Sequence, residues 1–272
     1  MQARPYLSIV IPAYNEAPRI GGSLERLIPF FRSAASCRGP VEILIVDDGS
    51  VDETAPIVET FIAGLPIDAR RESPAFRLLR NGRNRGKGYS IKHGVLSAAG
   101  NYLLVSDTDF STPIEELPRL LRKIEADECD IVIGSRGLPE SRVEIRQAAW
   151  RETLGRTFNR IVRAVSGLPF HDTQCGFKVM RREPVLPLFR AARVERFAYD
   201  VEILYLARKA RLRVVEEPVI WRNSLGSKVN PVTDSFVMLK DVIGIALRDR
   251  RGGYGAIGAG AVPGARADGG GR

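Results

Sequence analysis

Over its first 135 residues or so, the chain repeats one pattern: a short apolar run, a polar turn, then a stretch with helical spacing. The runs are Leu7 to Ile11, Val41 to Val46, the shorter Phe76 to Arg80, Tyr102 to Val105, and Asp130 to Gly134. Such short β-prone runs suit strands buried inside a sheet. Between them, Gly22 to Ala35 puts Leu24, Leu27, Ile28 and Phe31 on one helical face. A second helix, capped by Ser50 or Asp52, runs past Val58 and Phe61, and further helices follow through Ile91 and Val95 and from Ile114 to Glu125. Strand and helix in strict alternation predict an α/β fold, a mainly parallel central sheet with helices on both faces.

The ends of these strands carry the chemistry. Their turns gather Glu16, Asp47, Asp48, Asp107 and Asp109 at the carboxyl edge of the sheet, where open α/β sheets bind their ligands. Tyr102 to Val105 runs directly into Asp107-Thr108-Asp109. Two carboxylates one residue apart suit Mg²⁺ or Mn²⁺, which takes carboxylate oxygens and completes its shell with diphosphate and water. Taken alone, the pair also reads as a turn leading into a helix start at Ser111-Thr112-Pro113 with Glu115 and Glu116. Five acids on one edge of an otherwise basic chain favour the metal and a nucleotide.

The net charge of +9 calls for an anionic partner, whether nucleic acid, a membrane surface or a phosphate substrate, or else it is a solvated surface. No helix-turn-helix, RNA-recognition or zinc pattern accompanies the charge, and the acidic strand ends oppose a phosphate backbone, so no nucleic-acid partner is expected. Three cysteines without a CxxC pair, and two histidines, point away from zinc and from a disulfide framework, and fit a reducing cytosol. No apolar run reaches the roughly 18 residues of a membrane span, and no leader is read in the first residues.

The turn Asn81 to Gly88, NGRNRGKG, is not a Walker A loop: three residues separate Gly82 from Gly86, and Gly88 follows Lys87. Its glycines and cations still suit a nucleotide diphosphate. The second half is less regular. Trp150, Leu154, Phe158, Ile161 and Val165 mark one face of a long helix, and His171 to Lys178 is a polar loop entering a strand. Phe197 to Ala210 reads as a helix and Leu212 to Val219 as a strand. A last helix, Asp234 to Arg248, collects Phe236, Leu239, Val242, Ile243 and Ala246 on one side. It either docks on the core or lies in a membrane interface. Residues 251–272, rich in Gly and Ala, read as a disordered tail.

With PAYNE (Pro12 to Glu16), DDGS (Asp47 to Ser50), NRGKG (Asn84 to Gly88) and DTD (Asp107 to Asp109) in place, the chain resembles the family 2 glycosyltransferases of GT-A fold. GSR (Gly134 to Arg136), DTQCGFK (Asp172 to Lys178), RFAYDVE (Arg196 to Glu202), EPVIW (Glu217 to Trp221) and GSKV (Gly226 to Val229) are similar to its dolichyl-phosphate β-glucosyltransferase subgroup. The resemblance spans about Leu7 to Arg248. It implies one catalytic domain over residues 1–250, with a nucleotide-sugar-binding half (1–135) and an acceptor-binding half (136–250). It also implies transfer of a hexose from a UDP-sugar, glucose in the first instance, to a polyprenyl phosphate. That reaction belongs at the cytoplasmic face of a membrane to which the protein is peripherally attached. GDP-mannose as donor, or a hydroxyl of a glycan or protein as acceptor, are the alternatives.

Position by position, the resemblance puts Pro12, Tyr14 and Glu16 around base and ribose and gives Asp48 a hydrogen bond to one of them. Lys87 then lies near the nucleotide, and Asp107 and Asp109 approach the metal. Arg222 and Lys228 belong to a stretch that closes over phosphates in relatives. Asp172 is the one base that the sequence offers for a hydroxyl acceptor. Two departures stand out. Ser111 sits where mannosyl-transferring relatives can carry an amide ligand, and the membrane anchor that precedes the domain in eukaryotic relatives is not read here.

Overall fold

The computed structural model describes residues 4–33, 38–65, 74–145, 149–222, 233–255 and 257. Seven strands form the main sheet: β1 (Leu7–Ala13), β2 (Val41–Asp47), β3 (Ala75–Arg80), β4 (Tyr102–Val105), β5 (Ile131–Ser135), β7 (Lys178–Arg181) and β8 (Val214–Pro218). Two further strands, β6 (Arg142–Ile145) and β9 (Ile220–Arg222), pair in parallel as a small second sheet. The main order is β3-β2-β1-β4-β7-β5-β8, and every pairing is parallel except those that β7 makes with β4 and β5.

The helices are α1 (Ala17–Arg32), α2 (Thr54–Gly64), α3 (Lys87–Ser97), α4 (Leu117–Glu125), α5 (Ala149–Ser166), α6 (Arg182–Ala191), α7 (Tyr199–Lys209) and α8 (Thr233–Arg250). A single 3₁₀ turn, Ile114–Glu116, leads into α4. Period-two alternation in the strands builds a core on each face of the sheet. Ile9, Ile11, Ile43, Ile45 and Leu104 meet Leu24 and Leu27 of α1, Val58 of α2 and Leu120 of α4. Val10, Leu44, Val46, Leu103 and Val105 point the other way, to Ile91 and Val95 of α3 and to α6, α7 and α8. The sheet is therefore covered on both faces, as the alternation predicts.

Three features differ from the sequence reading. β7 enters the sheet antiparallel, between β4 and β5, and α6 follows it although Pro184 and Pro187 lie within that segment. On α5, among the described side chains, the apolar residue that faces the core is Val162, whereas Ile161 and Val165 are exposed; Trp150, Leu154 and Phe158 lie outside the described side chains. On α8 the expected face holds in part: Val242 is buried and Leu239 packs against the core, but Met238 and Ile245 complete the core-facing side while Phe236 and Ile243 point outward. Helical faces of moderate contrast cannot be ranked by periodicity alone, because the chain does not say which face meets a neighbour. The segment after α8 also opens with a turn in which Tyr254 is buried and donates to Glu202 Oε1 at 2.5 Å. The remainder of that Gly- and Ala-rich stretch lies outside the described residues, apart from Ile257.

Candidate active site

Parallel pairing places the ends of β1, β2 and β4 side by side, so their turns meet without further help. The Asp107-Thr108-Asp109 turn leaves β4, and the Thr108 hydroxyl donates to the Pro12 carbonyl at 2.6 Å, tying it to the end of β1. Asp107 and Asp109 are partly exposed while Thr108 between them is buried, which is what alternation requires when the middle residue is the anchor. Asp109 accepts from the Ser111 amide at 3.0 Å. The β1 turn is latched to the β2 turn. Asn15 donates its amide to Ser50 Oγ at 2.9 Å, and its side-chain oxygen accepts from the Val51 amide at 2.9 Å. Asn15 holds a φ of 52°, a conformation that asparagine tolerates better than most residues. The Glu16 amide donates to Thr54 Oγ1 at 2.6 Å, and the Glu16 carboxylate pairs with Arg19, close to Asp109. Pro12, Tyr14 and Glu16 thus stand together at the mouth of β1, beside the two metal-type carboxylates.

Asp48 is buried, and its carboxylate accepts three bonds from the NGRNRGKG turn: Asn81 Nδ2 at 2.8 Å, the Arg85 amide at 3.0 Å and the Gly86 amide at 2.7 Å. The loop is thereby fixed against β2. Gly86 has a φ of 106°, and a side chain there would strike the Glu195 carbonyl at 2.6 Å, so the tight approach depends on glycine.

This positioning sends Lys87, the first residue of α3, to Asp107, with which it forms an ion pair. Burial works to raise the Asp107 carboxyl, but Lys87, with Lys178 and Arg136 behind it, holds the group below the usual carboxylate range. Burial likewise opposes the Lys87 charge, and Asp107, Asp200 and Asp109 together more than restore it.

Because β7 runs antiparallel, the loop before it, rather than after it, lies at this edge; Val105 is opposite Lys178. Gly176 of that loop touches the Asp107 carboxylate so closely that a Cβ would stand 2.1 Å from Oδ2. Lys178 is buried and forms an ion pair with Asp200 of α7, while its ammonium also donates to the Cys175 carbonyl at 2.5 Å. Burial raises the Asp200 carboxyl, only partly offset by Lys178 and Lys87.

Asp172 is 2% exposed and fully occupied. It accepts from Arg136 Nε at 2.6 Å, Arg136 Nη2 at 2.9 Å, the Arg136 amide at 3.1 Å and the Gln174 amide at 3.1 Å. Burial alone would raise its carboxyl, but Arg136 brings it down to about 2. A carboxylate held in this way is a poor proton acceptor, so the geometry turns the one sequence-nominated base into an anchor between the loops after β5 and before β7. Arg222 ends β9; its amide donates to the Ser111 carbonyl at 2.7 Å and its Nε to Glu144 Oε2 at 2.6 Å. It therefore flanks the Asp107–Asp109 turn, half-exposed. Lys228 lies outside the described residues.

No three His, Cys, Asp or Glu side chains among the described residues are grouped to hold a metal. Two partly exposed carboxylates on one turn nevertheless fit Mg²⁺ or Mn²⁺, which keep several positions for water and substrate phosphate rather than filling an all-protein cage. Sequence reasoning gave no role to Lys178, Asp200, Arg136 or Gly176. A signal was present for two of them, since Lys178 opens an apolar strand and Asp200 sits in the first turn of an apolar helix, where an unpaired charge would be costly. Their pairing with each other is written only in the fold.

The model of glycosyl transferase family 2 matches residues 8–189. The chain is 38% identical over 249 residues to the dolichyl-phosphate beta-glucosyltransferase of Dictyostelium discoideum, covering 89% of this chain and 74% of that protein. It is 33% identical over 249 residues to the Saccharomyces cerevisiae protein of the same name, covering 88% and 73%. Among solved structures, glucosyl-3-phosphoglycerate synthase from Mycobacterium tuberculosis in complex with UDP superposes with a TM-score of 0.61 at 19% identity, covering 92% of this chain and 81% of that one. The same enzyme in complex with Mn²⁺, UDP-glucose and glycerol 3-phosphate gives 0.61 at 18%. At such identities the likeness speaks for the fold, and the fold is GT-A. With a family match over most of its length and relatives above 30% identity across most of theirs, the chain belongs to glycosyl transferase family 2.

Proposed function

We propose that the chain transfers glucose from UDP-glucose to a polyprenyl phosphate of the dolichyl type, with inversion, at the cytoplasmic face of a membrane. The relatives named above support the sugar and the acceptor, and the Mn²⁺ and UDP-glucose bound by the mycobacterial neighbour support the donor and a divalent cation. One observation carries the acceptor: Asp172 is closed off by Arg136, while the edge around it is rich in cations. A hydroxyl acceptor must lose a proton as it attacks, and needs a base within hydrogen-bond reach. A phosphate monoester arrives already ionised, with about −1.5 to −2 charges at neutral pH, and needs only to be positioned and screened.

In this reading Pro12, Tyr14 and Glu16 line the base and ribose pocket. Asp48, expected to hydrogen-bond base or ribose, is buried with its carboxylate taken up by Asn81, Arg85 and Gly86, and serves the pocket by holding the 81–86 turn in place. Asp107 and Asp109 would hold Mg²⁺ or Mn²⁺, which would supply neutralisation of charge developing on the departing UDP. Arg222, which flanks the Asp107–Asp109 turn, orients the acceptor phosphate together with Lys228. Residues 1–135 then serve the donor and 136–250 the acceptor. Peripheral contact with an anionic leaflet falls to α8. Its outward stripe, at helical spacing, is Phe236, Lys240, Ile243, Leu247 and Arg250, with Phe236 71% exposed. Apolar residues flanked by Lys and Arg suit an interfacial helix. No described helix is long and apolar enough to cross a membrane.

The test is product analysis with polyprenyl phosphate and the matching polyprenol side by side, each with labelled UDP-glucose or GDP-mannose. A β-linked glucosyl phospholipid from UDP-glucose alone is expected. Transfer to the free alcohol would overturn the acceptor, and transfer from GDP-mannose would overturn the donor.

A further inference from the structure

The Lys87–Asp107 ion pair joins two residues that the donor reading needs for different purposes. Asp107 is one of only two carboxylates on the metal-type turn, and its oxygens already face an ammonium. Lys87 is not there by chance of a loose side chain. Its backbone is clamped from both sides, by the Arg85 and Gly86 amides on Asp48 and by the Tyr89 amide on the Glu195 carbonyl at 3.0 Å. Gly88, next in sequence, sits so tightly against Tyr199 that a Cβ would come within 2.6 Å of the Tyr199 Cβ. The freedom that remains is in the four-carbon stem, which lets an ammonium exchange partners without moving the backbone. Asp107, Asp109 and Asp200 all favour a positive charge at the Lys87 ammonium.

We propose that Lys87 is a placeholder cation: in the free protein it neutralises Asp107, and on loading it leaves Asp107 for the donor diphosphate. This rests on the nucleotide-sugar reading of the site and adds an order to it. With Asp107 held in an ion pair, the turn offers a divalent cation Asp109 alone, itself accepting the Ser111 amide and near Arg19, so the metal alone binds weakly. A diphosphate draws the ammonium away and frees Asp107 at the same moment. The lysine thereby couples metal to nucleotide, and keeps two neighbouring carboxylates from facing each other uncompensated when both are absent. Lys178 and Arg136 also bear on Asp107, but neither is in contact with it as Lys87 is, so their charges persist in either state.

The experiment is titration of Mn²⁺ alone, followed by the EPR signal of the free ion, on wild-type protein and on Lys87→Met and Lys87→Arg, then again with UDP present. Removing a competing ion pair of this exposure should tighten Mn²⁺ binding to Lys87→Met by roughly three- to tenfold. UDP should bind that variant roughly tenfold more weakly in saturating Mn²⁺, through loss of one charge-assisted contact. Lys87→Arg keeps the charge and should keep Mn²⁺ weak. Unchanged or weaker Mn²⁺ binding by folded Lys87→Met would overturn the proposal. The wild type supplies a second arm if that variant does not fold: UDP should raise Mn²⁺ affinity by roughly tenfold, and equal affinity with and without UDP would overturn it as well. A wild type that binds Mn²⁺ but no UDP at any concentration overturns the donor reading itself, and the proposal with it.

Discussion

The two halves of the carboxyl edge are built from different materials. On the side of β1, β2 and β4, the three turns are joined to one another by neutral bonds, Asn15 with Ser50 and Val51 and Thr108 with the Pro12 carbonyl. The buried Asp48 carboxylate there is met by neutral donors, and the Lys87–Asp107 ion pair is partly exposed. On the side of β5, β7 and α7 the turns are joined by buried charges: Arg136 with Asp172, and Lys178 with Asp200. Glu202 adds to these by gathering the Arg193 and Val194 amides and the Tyr254 hydroxyl. The reason lies in the topology. Parallel neighbours deliver consecutive turns to one place, so light latches suffice. The antiparallel β7 brings a loop against turns from other strands, and stronger, directional pairs set its register there. The halves should therefore fail differently, since a lost neutral bond costs about 1 kcal/mol while a buried charge stripped of its partner costs about 3–5 kcal/mol.

The sharpest break is Lys178→Met. It leaves Asp200 buried and uncompensated, with side chains only 4% and 5% exposed in the pair, and should destabilise the fold by about 3–5 kcal/mol in chemical denaturation. The cost should shrink as pH falls. Asp200 has its carboxyl raised by burial, so its contribution to stability is present below its ordinary range and lost as pH rises through the folded value. A loss in Lys178→Met that is the same at about pH 5 and about pH 8 would refute this. Asp172→Asn comes next, at about 2–3 kcal/mol, because it removes the carboxylate from Arg136 while leaving its shape. Asp172 is held at about 2, so its stabilisation is present above the ordinary carboxylate range and disappears only as pH falls through about 2. The pH–rate profile of Asp172→Asn should keep its acidic limb; loss of that limb with stability intact would restore Asp172 as a base.

On the other side of the edge, Asn15→Ala should cost about 1–2 kcal/mol, one latch plus the strain of alanine at positive φ. A loss as large as that of Lys178→Met would erase the distinction between the halves. Phe236→Ser on the outer stripe of α8 should change stability by no more than about 0.5 kcal/mol. Its effect should fall instead on binding to anionic vesicles, which weakens further as salt rises. Unaltered vesicle binding would remove α8 from the membrane contact.

The first half was legible because its rules are local. Apolar runs of strand length, helical spacing between them and acids at their ends follow from one stretch of chain at a time, and parallel pairing then brings Pro12, Glu16, Asp48 and Asp107 to one edge without further information. The Gly-rich turn could be recognised as a close backbone approach, and Gly86 makes that approach with a φ of 106°. Which side of a helix meets the core was legible for α1, where Leu24 and Leu27 are buried, but only in part for α8, which carries apolar residues on more than one face.

What the sequence determined alone is the α/β alternation, the acidic carboxyl edge and the inventory of groups at it. Only the tertiary structure decided who is paired with whom. Asp172 became an anchor rather than a base because the loop after β5 delivers Arg136 to it, and Lys87 came to rest on Asp107 because Asp48 clamps the turn before it. The physical reason is that a carboxylate's chemistry depends on the charges within a few ångströms of it, and those neighbours come from distant segments whose meeting is set by strand order and direction.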